Sequence, residues 1–90
     1  MNPSHRAVYS AGNGEVEVYE ILIPEGWNGR TLGALLDSLK QCYPVALARA
    51  GRAFLPEVDT RLQTGDLLNI SSTFEGIGAL TARLSKKAEA

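Results

Sequence analysis

The sequence predicts an α+β fold, a single small domain in which a mixed sheet is covered by two helices in the order β-α-β-β-β-α. Three observations predict it. The run EVEVYEILI, Glu15 to Ile23, is rich in β-branched and aromatic residues and is stopped by Pro24. Leu32, Leu35, Leu36 and Leu39 recur at spacings of three and four, the period of an amphipathic helix. Glycine, proline and aspartate then punctuate the chain at turn spacing. At 90 residues, with 44% apolar and 21% charged side chains, there is material for one core and no room for a second domain.

Each element follows from its local chemistry. Residues 1–14 contain Pro3, Ser4, Gly12, Asn13 and Gly14 without a sustained period, so they read as a tail or linker whose order requires docking. In the first strand Val16 and Val18 share one face while Tyr19, Ile21 and Ile23 share the other. Either a bulge changes the phase or both faces are covered. Thr31 suits the cap of a helix that ends between Lys40 and Tyr43, because Pro44 disfavours helical geometry at the residue before it. Val45 to Ala50 and Ala53 to Leu55 read as a hairpin about Ala50-Gly51-Arg52, closed by Pro56. Asp59 or Thr60 can cap a single turn through Gln63, and Thr64-Gly65-Asp66 turns the chain into a strand at Leu67 to Ser71. Ser72-Thr-Phe-Glu75 has capping-box spacing and opens a final helix with Phe74, Ile77, Leu80 or Thr81, and Leu84 on one side. The domain is thus expected to span 15–87, with a short tail at 88–90.

Charge and cysteine content exclude several functions. Nine Lys plus Arg against ten Asp plus Glu leave a net charge of −1, so no field draws in nucleic acid. Cys42 has no second cysteine to pair with, and one thiol with one histidine, His5, cannot build a structural zinc site. No apolar run approaches the roughly 20 residues of a membrane span, and Met1-Asn-Pro-Ser-His-Arg6 has no apolar stretch of a secretory signal. A cytoplasmic setting is expected.

The candidate constellations are modest. Gly12-x-Gly14 precedes a strand and lacks the third glycine of a phosphate cradle, so it reads as a turn. Gly76-x-Gly78 falls inside the final helix, where close packing on the sheet accounts for it. Nucleophilic catalysis needs a base beside the nucleophile, and His5 lies in the tail, so no catalytic residue is assigned. Cys42 reads as a small hydrophobe, and Glu15 with Glu17 as a solvated edge. Ala46, Ala48 and Ala50 alternate with Val45, Leu47 and Arg49, which leaves one nearly bare face. Either one of the chain's own helices or another subunit must cover it. Trp27 and Arg30 flank the helix start and are residue types enriched at interface hot spots. Arg30, Arg49 and Arg52 can meet an anion, although isolated surface arginines are commonplace.

Read in order, Ile23-Pro24-Glu25-Gly26, Gly29-Arg30-Thr31-Leu32, Ala48-Arg49-Ala50-Gly51, Leu55-Pro56 and Leu62-Gln63-Thr64-Gly65-Asp66 form a recognisable set. It closely resembles the C-terminal regulatory domain of TrkA-type potassium transport proteins, over residues 14–84. The resemblance implies a non-enzymatic module that forms a homodimer beneath a membrane potassium transporter or channel, cytoplasmic and peripheral to the inner membrane. It also implies a Rossmann-type nucleotide-binding domain in the same or a separate chain, and no nucleic-acid partner. In some relatives a cyclic di-nucleotide, cyclic di-AMP, binds between subunits. The matching positions are Trp27, Asn28, Arg30, Val45 and Ala46, with Ala46, Ala48 and Arg49 at the dimer interface. No metal or other cofactor is implied. A purely structural dimerisation domain without a small ligand is the alternative reading. A β-grasp sulfur carrier shares the strand, Leu-rich helix and Gly-Asp turn, but its chemistry needs a C-terminal Gly-Gly where this sequence reads Lys86-Lys-Ala-Glu-Ala90.

Overall fold

The computed structural model describes residues 5–86. The expected features at Pro3 and Ser4, and at Lys87 and the tail 88–90, lie outside the described residues. Strands β1 (His5–Ala11), β2 (Val16–Leu22), β3 (Cys42–Arg49), β4 (Arg52–Phe54) and β5 (Leu67–Ser72) form one sheet in the order β1-β2-β5-β3-β4. A 3-10 turn spans Glu25–Trp27, and the helices are α1 (Leu32–Leu36) and α2 (Phe74–Leu84). The α+β class stands. The sheet is not mixed: each neighbouring pair is antiparallel.

Most of the segment expected as a tail is a strand. Gly12 and Gly14, both at positive φ, turn the chain so that β1 lies back along β2. Arg6 donates to Glu20 at 2.9 Å and Ser10 to Glu17 at 2.7 Å, fixing β1 by cross-strand pairs. A register shift between Ala7 and Tyr9 bends this outer strand, one of the devices that blunt a sheet edge. Docking supplied the order that the local sequence lacks.

Both helices lie on one face of the sheet. There Tyr19, Ile21 and Ile23 meet Leu47, Leu68 and Ile70 from the sheet, and Leu32, Leu35, Ile77, Leu80 and Leu84 from the helices, in one buried cluster. Helix α1 is shorter than the leucine spacing predicts. It stops at Leu36, and Asp37 leaves helical geometry while Ser38 and Gln41 take positive φ. Its released carbonyls are satisfied from outside, because Arg83 of α2 donates to the backbone oxygens of Leu35 and Asp37. Leu36 and Leu39 still pack against the core.

Strand β3 starts three residues earlier than expected and runs through Pro44. A proline is tolerated there because β4 pairs only with Leu47 to Arg49, which leaves an edge beside Pro44, and the ladder to β5 shifts register between Pro44 and Ala46. The expected cap of α2 moves by one residue. Thr73, not Ser72, accepts from the Gly76 amide at 3.1 Å, and Ser72 is instead buried against Cys42 with its hydroxyl donating to the Thr73 carbonyl. Gly76 explains the close contact. A Cβ at that position would collide with the Ser72 hydroxyl and come within 2.8 Å of the Gln41 carbonyl oxygen. Gly78 has nothing within 4 Å, so packing accounts for one of the two glycines.

Candidate functional site

The five positions assigned to a ligand do not converge. Trp27 is 6% exposed, part of the core, and its indole Nε1 donates to the Lys86 carbonyl at 2.9 Å. Its polar handle is therefore already in use. The Asn28 side-chain oxygen accepts from the Thr64 amide at 3.0 Å, tying the loop before α1 to the turn before β5. Arg30 is half-buried, and its carbonyl accepts from the Leu62 amide at 2.8 Å. Val45 occupies the irregularity of β3, and Ala46 follows it on the opposite side of the molecule from the helices.

The start of α1 offers no anion cradle. The Leu32 amide donates to the Thr60 carbonyl at 2.9 Å, the Gly33 amide to the Val58 carbonyl at 2.8 Å, and the Ala34 amide to the Thr31 hydroxyl at 3.1 Å. A phosphate needs free amides, and here the first turn has spent them on the chain's own acceptors. A ligand held by Trp27 and Arg30 would therefore find no free amide among Leu32, Gly33 and Ala34.

The arginines divide into different roles. Arg49 holds Asp66 in a two-point grip, with Nε to Oδ1 at 2.9 Å and Nη2 to Oδ2 at 2.8 Å. Nη2 also reaches the Arg61 carbonyl, and the guanidinium stands 5.5 Å from the centre of the Phe54 ring. Arg61 in turn donates to the Gly29 carbonyl at 2.8 Å. Burial alone pushes the Asp66 carboxyl up. The hydrogen bonds from Arg49 and the Gln63 amide, with the guanidinium charge, outweigh that and hold it below the usual carboxylate range. The same bonds raise Arg49 against its own desolvation. Arg49 thus serves inside the fold, on the face opposite Ala46 and Ala48, so those three expected interface residues do not share one surface.

An apolar cleft lies elsewhere. Leu32, Gly33 and Leu36 of α1 form one wall, and Pro44, Pro56, Glu57 and Val58 the other, around a volume of about 360 Å³. Val58 of this wall is 76% exposed. Sequence reading passed over this cleft because its walls come from a helix, a strand and a loop that local patterns do not bring together. Pro56, read in the sequence as closing a strand, is one of its walls. A second cleft, lined by Pro24, Glu25, Gly26, Asn28, Leu84, Ser85 and Lys86, lies where α2 ends beside the 3-10 turn. Among the described residues no group of three or more His, Cys, Asp or Glu is placed to hold a metal ion. No described helix is long and apolar enough to cross a membrane.

No protein-family model matches this chain, and no curated protein matches it either.

Proposed function

We propose that this chain is a non-enzymatic regulatory domain of a TrkA-type potassium-uptake or cation-transport system, working in the cytoplasm as a homodimer at its membrane partner. A ligand that favours one relative orientation of the subunits biases the gate in proportion to its differential affinity for the two states. The ordered sequence motifs support this reading, and each falls at a junction. Ile23-Pro24-Glu25-Gly26 leads β2 into the 3-10 turn, Gly29-Arg30-Thr31-Leu32 opens α1, and Leu62 to Asp66 feeds β5.

The observation that carries the ligand reading is the cleft between α1 and the Pro44 and Pro56 walls. It is open and largely apolar, and the exposed Val58 forms part of its wall. Such a surface suits the flat apolar face of a nucleobase better than a phosphate, so a cyclic di-nucleotide would enter base first. Isothermal titration with cyclic di-AMP and a panel of nucleotides tests it. Binding that is lost in Val58→Asp is the expected result. Absence of any thermal response, with pairing intact, would leave the structural dimerisation domain as the better account. The amides committed at the start of α1 favour that second reading.

A further inference from the structure

Backbone amides decide which asparagines of this chain can react with their own main chain. An asparagine followed by glycine is the least hindered case, since no side chain shields the next nitrogen. The sequence holds two such pairs, Asn13-Gly14 and Asn28-Gly29. Asn2 precedes Pro3, which has no N–H, and Asn69 precedes the β-branched Ile70 in the middle strand of the sheet. Asn13 and Asn28 are both exposed, so access to water does not choose between them. Hydrogen bonding does.

Asn28-Gly29 is held on both sides of the bond that would form. The Gly29 amide donates to the Leu62 carbonyl at 2.7 Å, and Asn28 Oδ1 accepts from the Thr64 amide at 3.0 Å. The nitrogen and the carboxamide that must meet are each turned to another partner. Asn13-Gly14 lies in the loop 12–15, beyond the last ladder pair of Ala11 with Val16, and Gly12 and Gly14 take positive φ on either side of it. Among the described residues neither the Gly14 amide nor the Asn13 carboxamide has a hydrogen-bond partner.

We propose that Asn13 is a self-modification site of this chain, converted to aspartate and isoaspartate through a succinimide with Gly14, while the fold spares Asn28. The Gly14 nitrogen attacks Asn13 Cγ and gives up its proton, the bond from Cγ to the side-chain nitrogen breaks, and ammonia leaves with that proton. Water then opens the ring at either carbonyl. The sum consumes one water, releases one ammonia and leaves one new carboxylate; nothing is oxidised or reduced. Isoaspartate also routes the main chain through an extra methylene, which upsets a hairpin whose register depends on the length of its loop. The new charge meets one of its own sign, because Glu15 folds back over the loop, with Oε1 2.7 Å from where a Cβ on Gly12 would stand.

Strand β1 is the element that responds. It contributes no residue to the buried cluster and is held by its ladder to β2 and by the Arg6–Glu20 and Ser10–Glu17 pairs. Ser10 stands next to the altered loop. Loosening β1 bares the edge of β2 and withdraws His5 from Tyr19, on which it packs edge-on at 5.2 Å. The modification is thus a slow, one-way release of the outer strand that leaves the core in place.

The test ages the full chain in mildly alkaline buffer, folded and in urea, and reads both sites by mass spectrometry after cleavage at glutamate, which parts Asn13 from Asn28. In the folded chain Asn13 should convert at least roughly tenfold faster than Asn28, whose loop must first open two hydrogen bonds. In urea the two rates should draw level. Equal rates in the folded chain, a faster Asn28, or a folded chain unchanged at both sites would overturn the proposal. So would a ratio in urea as large as in the folded chain, which would assign the difference to neighbouring residues. Hydrogen exchange of the aged protein should show protection lost in β1 and at the β2 amides facing it, and kept in β5 and α2. Asn13→Gln, which closes such a ring far more slowly, should keep β1 protected after the same ageing. Loss across the whole sheet, no loss in β1, or the same loss in Asn13→Gln would overturn the release of β1 by this residue.

Discussion

Arg49 grips both carboxylate oxygens of Asp66, a residue 2% exposed, and so binds the β3–β4 hairpin to the turn that starts β5. The Gln63 amide adds a third hydrogen bond to the same carboxylate, at 2.8 Å. Through Arg61 the connection continues to the Gly29 carbonyl before α1. One buried charge thus organises three loops at the end of the sheet. Its value lies in geometry more than in net energy, since desolvation offsets much of the attraction within such a pair.

Asp66→Asn keeps the shape and removes the charge, leaving Arg49 half-buried without its counter-ion. We expect a loss of about 2–4 kcal/mol, near the range for breaking a buried pair. In a domain of this size that lowers Tm by roughly 10 °C or more, read by calorimetry. A loss below about 0.5 kcal/mol would mean that the pair behaves as a surface ion pair.

The same carboxylate sets the acid limb of stability. Its folded value lies below the unfolded one, about 3.9, so its contribution is complete above that pH and drains away as pH falls through the folded value. Urea midpoints measured from pH 7 down to pH 2 should fall on the acid side, and the fall should flatten in Asp66→Asn. An identical acid slope in both proteins would assign the effect to other groups.

Tyr19 predicts the opposite limb. Burial, then the hydrogen bond it donates to Glu17 at 3.0 Å and the Glu17 charge, raise its phenol above the ordinary value. The neutral phenol is the form the fold prefers. Its contribution is present below about pH 10 and is lost as pH rises through the folded value. Tyr19→Phe should reduce the alkaline fall in the urea midpoint at a cost of about 1 kcal/mol at neutral pH.

Gly76 and Gly78 separate packing from propensity within one helix. Gly76→Ala places a methyl against the Ser72 hydroxyl and the Gln41 carbonyl, and should destabilise by about 1–3 kcal/mol despite the better helix former. Gly78→Ala meets open space and should stabilise by up to about 1 kcal/mol. Chemical denaturation of both variants gives the two signs, and equal signs would contradict the contact geometry.

Several parts of this fold were legible where the signal is local. The cap at Thr31, the hairpin at Ala50-Gly51 and the Gly65-Asp66 turn each rest on the conformational habits of one or two residues. The two apolar phases of β2 were legible as well, although sequence left open whether a bulge or a second cover resolves them. What could not be read depends on distant chain. Strand β1 has seven exposed residues and gains its order from β2, so no period marks it. Helix α1 ends at Leu36 because Arg83, far along the chain, takes over its carbonyls. The surroundings of the helix start were illegible for a related reason: the Leu32 and Gly33 amides are claimed by Thr60 and Val58, and only the folded loop brings those acceptors near.

The sequence holds one tryptophan, and its indole is hydrogen-bonded to the last turn of the structure at Lys86. Intrinsic emission from this protein is therefore a single-site optical reporter. A red shift at wavelengths selective for indole would signal that the end of α2 has lifted from the 3-10 turn, and stopped-flow recording could time that detachment without any attached dye.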